Sequence, residues 1–155
     1  MRTLILAALL AIAAPSTARA DFGLGIFVGE PLGVDVKIDL ARHQALDLVL
    51  GVASVRDGLR DESYGHLTYL LTPLVGEGRS FLLPLRLGIG VALLGVAEGD
   101  VSVAGRAPLE IALLFRDAPL EIYGEVALKL TFVNANDNND VVLDTDGGIG
   151  LRFYF

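Results

Sequence analysis

Cysteine is absent from this 155-residue chain, and so is tryptophan. Without cysteine there is no disulfide scaffold, no thiolate nucleophile, no Cys-ligated zinc and no acylated N-terminal lipoprotein cysteine, although an oxidising compartment stays compatible. Positive charge is scarce: 12 Lys and Arg stand against 19 Asp and Glu, a formal charge of −7. With no basic patch to offset that balance, nucleic acid is not an expected partner. Beyond the first twenty residues no run of eighteen apolar residues occurs, which leaves a helical membrane span with little support. Yet 53% of the residues are hydrophobic, so the apolar content must be distributed in another pattern.

The N-terminus reads as a leader. Met1 and Arg2 give a short positive start, Leu4 to Ile12 is apolar, and Ala18-Arg19-Ala20 has the small, x, small form of a signal-peptidase site. The expected organisation is a signal peptide at 1–20 and one domain at 21–155, and removing Arg2 and Arg19 takes the charge from −7 to −9.

In the remaining chain the informative period is two. Val34, Val36, Ile38 and Leu40 alternate with Asp35, Lys37 and Asp39, which puts aliphatic groups on one strand face and charge on the other. Leu46 to Val52, Leu85 to Leu93 and Leu120 to Val133 repeat the rule. Strands are predicted at 22–29, 33–41, 45–55, 64–73, 82–94, 102–115, 120–133 and 147–155. Their number is even, and most approach the roughly 9 to 11 residues of a tilted bilayer-crossing strand. The longer connections, including 56–63, 95–101 and 134–146, fall at one end, and short turns fall at the other.

A soluble barrel would turn its apolar face inward. Here the opposite face carries glycine, alanine and too little charge for an aqueous exterior, so the polarity is expected to be inverted. The fold class is therefore all-β: an eight-stranded antiparallel transmembrane β-barrel with a closed, polar-filled lumen, whose closure leaves no open edge in hydrocarbon. The polar network expected in the lumen is Asp35, Lys37, Asp39, Asp47, His66, Arg86, Arg106, Glu110, Glu121, Glu125, Lys129 and Arg152. Acids and bases nearly balance in that set, as buried charges require. Aromatic residues near strand ends, with Tyr64 and Phe132 toward the long-loop side, match an interfacial girdle.

The final run from Gly147 to Phe155 places Ile149, Leu151, Phe153 and Phe155 on one face and ends on the last of them. It resembles the C-terminal assembly signal of bacterial outer-membrane proteins. With the opening Gly23 to Gly33 and the internal Phe115 to Glu121, it makes the chain resemble a family of small eight-stranded outer-membrane β-barrel proteins of Gram-negative bacteria. The resemblance implies an outer-membrane address and a barrel, and supplies no substrate or catalytic set.

Candidate chemistry is weaker. Asp35 with Asp39 and Glu121 with Glu125 could hold a cation or divide acid and base roles, but charge pairing with nearby lysines and arginines is the simpler expectation. His66 shares a face with Thr68 and has Ser63 near its rim, without a local serine-histidine motif. Asp137, Asp140, Asp144 and Asp146 occur in a predicted loop that lacks the ordered glycine and terminal glutamate of an EF-hand. Gly23-x-Gly25 and Gly88-x-Gly90 lie within alternating strands, where phosphate cradling has no context. No catalytic residue, metal site or cofactor is assigned. The expected role is structural or in surface interaction, without catalysis or a wide pore. The alternatives are an outer-membrane lipid-modifying hydrolase and a secreted soluble ligand-binding barrel. Expected partners are outer-membrane lipids and lipopolysaccharide and the outer-membrane assembly machinery, with room for an extracellular ligand of unspecified identity.

Overall fold

The computed structural model describes residues 22–54, 61–97, 99, 101–132 and 141–155. The expected signal peptide and the segments 55–60 and 133–140 lie outside these residues. Eight strands follow in chain order: β1 (Phe22–Glu30), β2 (Leu32–Ala41), β3 (Gln44–Ser54), β4 (Asp61–Glu77), β5 (Phe81–Leu94), β6 (Ser102–Phe115), β7 (Leu120–Phe132) and β8 (Val141–Tyr154). Each is antiparallel to its neighbours, and β1 pairs with β8 from Gly23↔Tyr154 to Glu30↔Gly147, so the sheet closes into a barrel.

The period of two decides which side chains are enclosed. In β7, Glu121, Tyr123, Glu125, Ala127 and Lys129 are buried, while Ile122, Val126, Leu128 and Leu130 between them are exposed. In β2 the buried side chains are Asp35 and Lys37, and Val34 and Ile38 face outward. Ordinary burial preferences are thus reversed: charge lies inside and large aliphatic groups lie outside.

Two strands are longer than predicted. β8 begins at Val141, six residues before its expected start, so Asp144 and Asp146 belong to a strand rather than a loop. Their alternation continues that of Arg152 backward through Gly150 and Gly148, and the ladder to β7 extends to Phe132↔Val141. β4 runs from Asp61 to Glu77, past Pro73, because the register shifts between Leu71 and Leu74 and resumes as Leu74↔Leu85. A bulge accommodates the residue that cannot donate to a ladder.

The ends differ. β1 and β2 are separated by Pro31 alone at the end that carries the β3–β4, β5–β6 and β7–β8 connections. Gly95 leaves β5 with φ 71°, in the left-handed region that glycine occupies without a Cβ clash. At the opposite end lie the turns at 42–43, 78–80 and 116–119. There β3 pairs with β4 only as far as Gln44↔Leu71, while β4 stays paired to β5 out to Glu77.

Candidate functional site

The enclosed face carries a network of charged side chains that joins both paired strands and strands that are not neighbours. Arg152 of β8 is at its centre and is fully buried. Its Nε donates to Asp35 Oδ2 at 2.5 Å, Nη2 to Asp47 Oδ1 at 2.7 Å, and Nη1 to Glu121 Oε1 at 2.8 Å and Glu110 Oε2 at 3.1 Å. The guanidinium also lies 3.6 Å from the Tyr123 ring centroid. A fixed fork of five donors suits this arrangement, since one planar group can reach carboxylates on β2, β3, β6 and β7 together. Tyr123 in turn donates to Asp35 Oδ2 at 2.5 Å. Gly150 makes space for that ring: a Cβ built there would fall on it.

Toward the short-turn end, Arg86 of β5 bonds both Glu110 and Glu121, the latter at 2.6 Å through Nη2 and 3.0 Å through Nη1. Lys37 pairs with Asp39 and donates to the Tyr154 hydroxyl at 3.1 Å. A cavity of about 810 Å³ opens at this end, with Lys37, Arg86 and Tyr154 in its wall.

Toward the long-loop end, Arg106 of β6 donates through Nη2 to Glu125 at 2.6 Å and Asp146 at 3.0 Å, and through Nη1 to Thr68 at 3.1 Å and His66 Nε2 at 3.0 Å. A guanidinium can only donate, so His66 Nε2 accepts and Nδ1 carries the proton toward the Tyr64 hydroxyl, 3.3 Å away. Tyr64 passes the same polarity on by donating to Asp146 Oδ2 at 3.2 Å. Lys129 stands 4.0 Å from Asp144 and Asp146, and His66 Nε2 lies 3.6 Å from Asp47 Oδ2 of the central tier. Small side chains, including Ala53, Ala92 and Ala104, pack around Tyr64.

Of the residues expected to form a polar network, all but Asp39 are buried; Asp39 lies half-exposed at the mouth and remains the partner of Lys37. Sequence reasoning missed Asp146, Tyr123 and Tyr154 as network members, although each has the parity of a recognised neighbour: Asp146 and Tyr154 that of Arg152, and Tyr123 that of Glu121. Tyr64 is a correction. It is no part of an outward girdle, being buried between Asp146 and His66 with the parity of His66. The four C-terminal residues Ile149, Leu151, Phe153 and Phe155 lie on the outward face, with Phe155 73% exposed.

The carboxylate pairs considered for acid-base or cation chemistry each have cationic partners: Asp35 meets Arg152, Asp39 meets Lys37, Glu121 meets Arg86 and Arg152, and Glu125 meets Arg106. Among the described residues no group of three or more His, Asp or Glu is arranged to hold a metal ion. Among the described residues six buried carboxylates face five buried lysines and arginines, so the set is close to self-neutralising. Such an arrangement can fill and fix an interior, because pairing and hydrogen bonding offset much of the desolvation cost of each ion. No protein-family model matches the chain, and no curated protein or solved structure is similar enough to count as a match.

Proposed function

We propose that this chain is a small outer-membrane β-barrel protein of a Gram-negative bacterium, with its aliphatic exterior against acyl chains and its lumen closed by the polar network. Its role is structural or in surface interaction, without catalysis and without a wide pore. The observation that carries the reading is the inverted polarity of the barrel wall. Ile89 is 71% exposed, Val126 63% and Leu143 63%, while Arg152, Glu110 and Glu121 are at 0%. In water this would expose far more contiguous apolar surface than the few hundred Å² typical of soluble monomers. Hydrocarbon removes that conflict, and a closed barrel is the β architecture that satisfies its backbone there.

Strand lengths support the same reading. They run from 9 to 17 residues, against roughly 9 to 11 needed for a tilted crossing. The short-turn end would face the periplasm and the long-loop end the exterior, the usual asymmetry of such barrels. In this frame the outward Ile149, Leu151, Phe153 and Phe155 serve as the assembly signal read by the outer-membrane assembly machinery, and 1–20 serves as the export leader. Lipids and lipopolysaccharide are then the immediate partners.

Membrane fractionation followed by gel migration of unheated and heated samples tests the proposal. The expected result is recovery in the outer-membrane fraction with a faster, compact band that shifts on heating. Recovery as a soluble protein without detergent would overturn it. Planar-bilayer recording adds a separate check on the closed lumen, and a large, steady conductance would reject that part.

A further inference from the structure

The mouth at the short-turn end has an open strand edge. Pairing between β3 and β4 stops at Gln44↔Leu71, where Thr72 N–H donates to the His43 carbonyl at 2.9 Å. β4 continues to Glu77 with β5 as its partner. The hairpin closure decides which way the backbone groups of this extension point. Gly78 N–H donates to the Phe81 carbonyl at 2.9 Å, and directly opposed residues of an antiparallel ladder alternate between hydrogen-bonded and non-bonded pairs. Stepping back from that pair, Gly76↔Leu83 and Leu74↔Leu85 exchange bonds, while Glu77↔Leu82 and Val75↔Pro84 do not. Pro84 fits this phase, having no N–H to give. The N–H and C=O groups of Val75 and Glu77 therefore point away from β5, along the side that β3 does not reach.

This edge borders the 810 Å³ cavity, whose wall includes Val75. The charged residues lining that cavity are Lys37, Arg42, Arg86 and Arg116 against Asp39 and Asp117, and Glu77, Glu110 and Glu121 stand beside Arg116 and Arg86. Lys37 and Arg86 are held by internal partners and the exposed Arg116 pairs with Glu77 at 3.5 Å, whereas Arg42 is exposed in the β2–β3 turn with no ion pair among the described residues.

We infer that this mouth binds an extended peptide segment with carboxylates at alternate positions, which adds as a strand along β4 at Val75 and Glu77 and turns an acidic side chain toward Arg42. A peptide backbone supplies donors and acceptors in the alternation the edge presents, and strand addition of this kind takes affinity from main-chain bonds and specificity from alternate side chains. An anionic lipid headgroup would meet the positive charge and leave the backbone edge unused. The inference goes beyond the membrane reading, since it uses strand register and charge alone and holds in detergent or water.

The test is fluorescence anisotropy with a dye-labelled hexapeptide of alternating valine and glutamate, titrated with the folded full-length barrel in zwitterionic detergent. Saturable binding below about 1 mM is expected. The matching valine-lysine peptide should bind about ten-fold more weakly, since rim charge selects the partner. Val75→Pro, which deletes an edge N–H without touching the bonds to β5, should weaken the glutamate peptide by about ten-fold. Arg42→Glu, at an exposed turn position, should weaken it by roughly five-fold at low salt. Unheated gel mobility verifies folding of each variant. A folded wild-type barrel that shows no saturable binding, that binds both peptides equally, or whose binding is unchanged by both substitutions would overturn the inference. So would a concentration-dependent dimer that Val75→Pro abolishes without any peptide binding, which would assign the edge to a second copy. Binding of anionic lipid micelles that depends on Arg42 but not on Val75, again without peptide binding, would assign the mouth to a lipid headgroup.

Discussion

Replacing Arg152 with methionine tests whether the charge network, rather than generic interior filling, holds the barrel together. Methionine keeps much of the volume and removes the guanidinium. Two of the four carboxylates retain cationic partners, because Arg86 also bonds Glu110 and Glu121. The other two lose their only cation: Asp35 retains the Tyr123 hydroxyl, while Asp47 faces Asp35 and, at 3.6 Å, a His66 Nε2 that already accepts from Arg106. Each lost contact is a gross attraction of about 4 kcal/mol near 4 Å at an effective dielectric of 20, most of which had offset desolvation. Leaving a buried charge without its partner has a net cost of about 3 to 5 kcal/mol. Arg152→Met should therefore lose about that much in urea unfolding from lipid vesicles, followed by the unheated gel band. Arg152→Lys should lose less, because charge remains while the fork to β2, β3, β6 and β7 is gone. The decisive arm is Arg152→Met combined with Asp47→Asn. If stranded charge is the cause, the pair should be more stable than the sum of the single changes predicts, by about 2 kcal/mol. Additivity, or a loss under 1 kcal/mol for Arg152→Met alone, would refute the reasoning.

Three further outcomes follow from the same geometry. Val126→Arg, on the exposed face at the middle of β7, should destabilise the barrel in lipid by about 2 to 4 kcal/mol; a change within about 0.5 kcal/mol, as on a water-exposed surface, would point away from hydrocarbon. Gly150→Val should push Tyr123 off Asp35 and cost about 1 to 3 kcal/mol by the same unfolding measurement, since a side chain there meets the ring. Deleting Phe155, which is 73% exposed at the end of the outward C-terminal face, should lower the yield of heat-modifiable barrel in the outer membrane without lowering the stability of the fraction that folds; undiminished yield would count against an assembly role.

Legibility followed the period. Where one face carried aliphatics at every second position, as in Val34 to Leu40 and Leu120 to Phe132, both the strand and its inward set could be read, because the alternation survives any local ambiguity about length. It failed where composition imitates a loop. Asp140 to Asp146 is rich in turn-forming aspartate, yet Asp146 is an inward position in β8 whose carboxylate meets Arg106 and Tyr64. Its pairing partner Ala127, across the ladder, is small, so no local apolar contrast advertised the strand. Tyr64 was misread for a related reason. An aromatic residue near a strand end suits either an interface or an interior, and parity with His66, rather than residue type, decides between them. The free edge of β4 could not be read at all. It depends on β3 ending at Gln44 while β4 runs on, a comparison of two strand lengths across a ladder that no single segment contains.

The position of the arginines has a consequence for how this fold is specified. Neighbouring strands are held by backbone ladders, which constrain pairs but say little about how far around the sheet must curl. Arg152 reaches from β8 to β3 and β6, and Arg106 from β6 to β4 and β8, so each guanidinium joins strands that do not pair. Such contacts exist only in a closed barrel of the right register, because a shift of one residue would send every one of these side chains to the outer face. An aliphatic interior of equal volume would favour compactness without selecting that register, whereas ionic partners penalise each misplaced strand by stranding a charge. The exterior cannot supply the choice, since Leu87, Val126 and Leu128 offer similar apolar contact in many registers. The buried charges therefore act chiefly as the specification of closure, and the double substitution at Arg152 and Asp47 should restore stability more fully than it restores a single, sharply defined folded species, a difference visible as heterogeneous unheated gel bands.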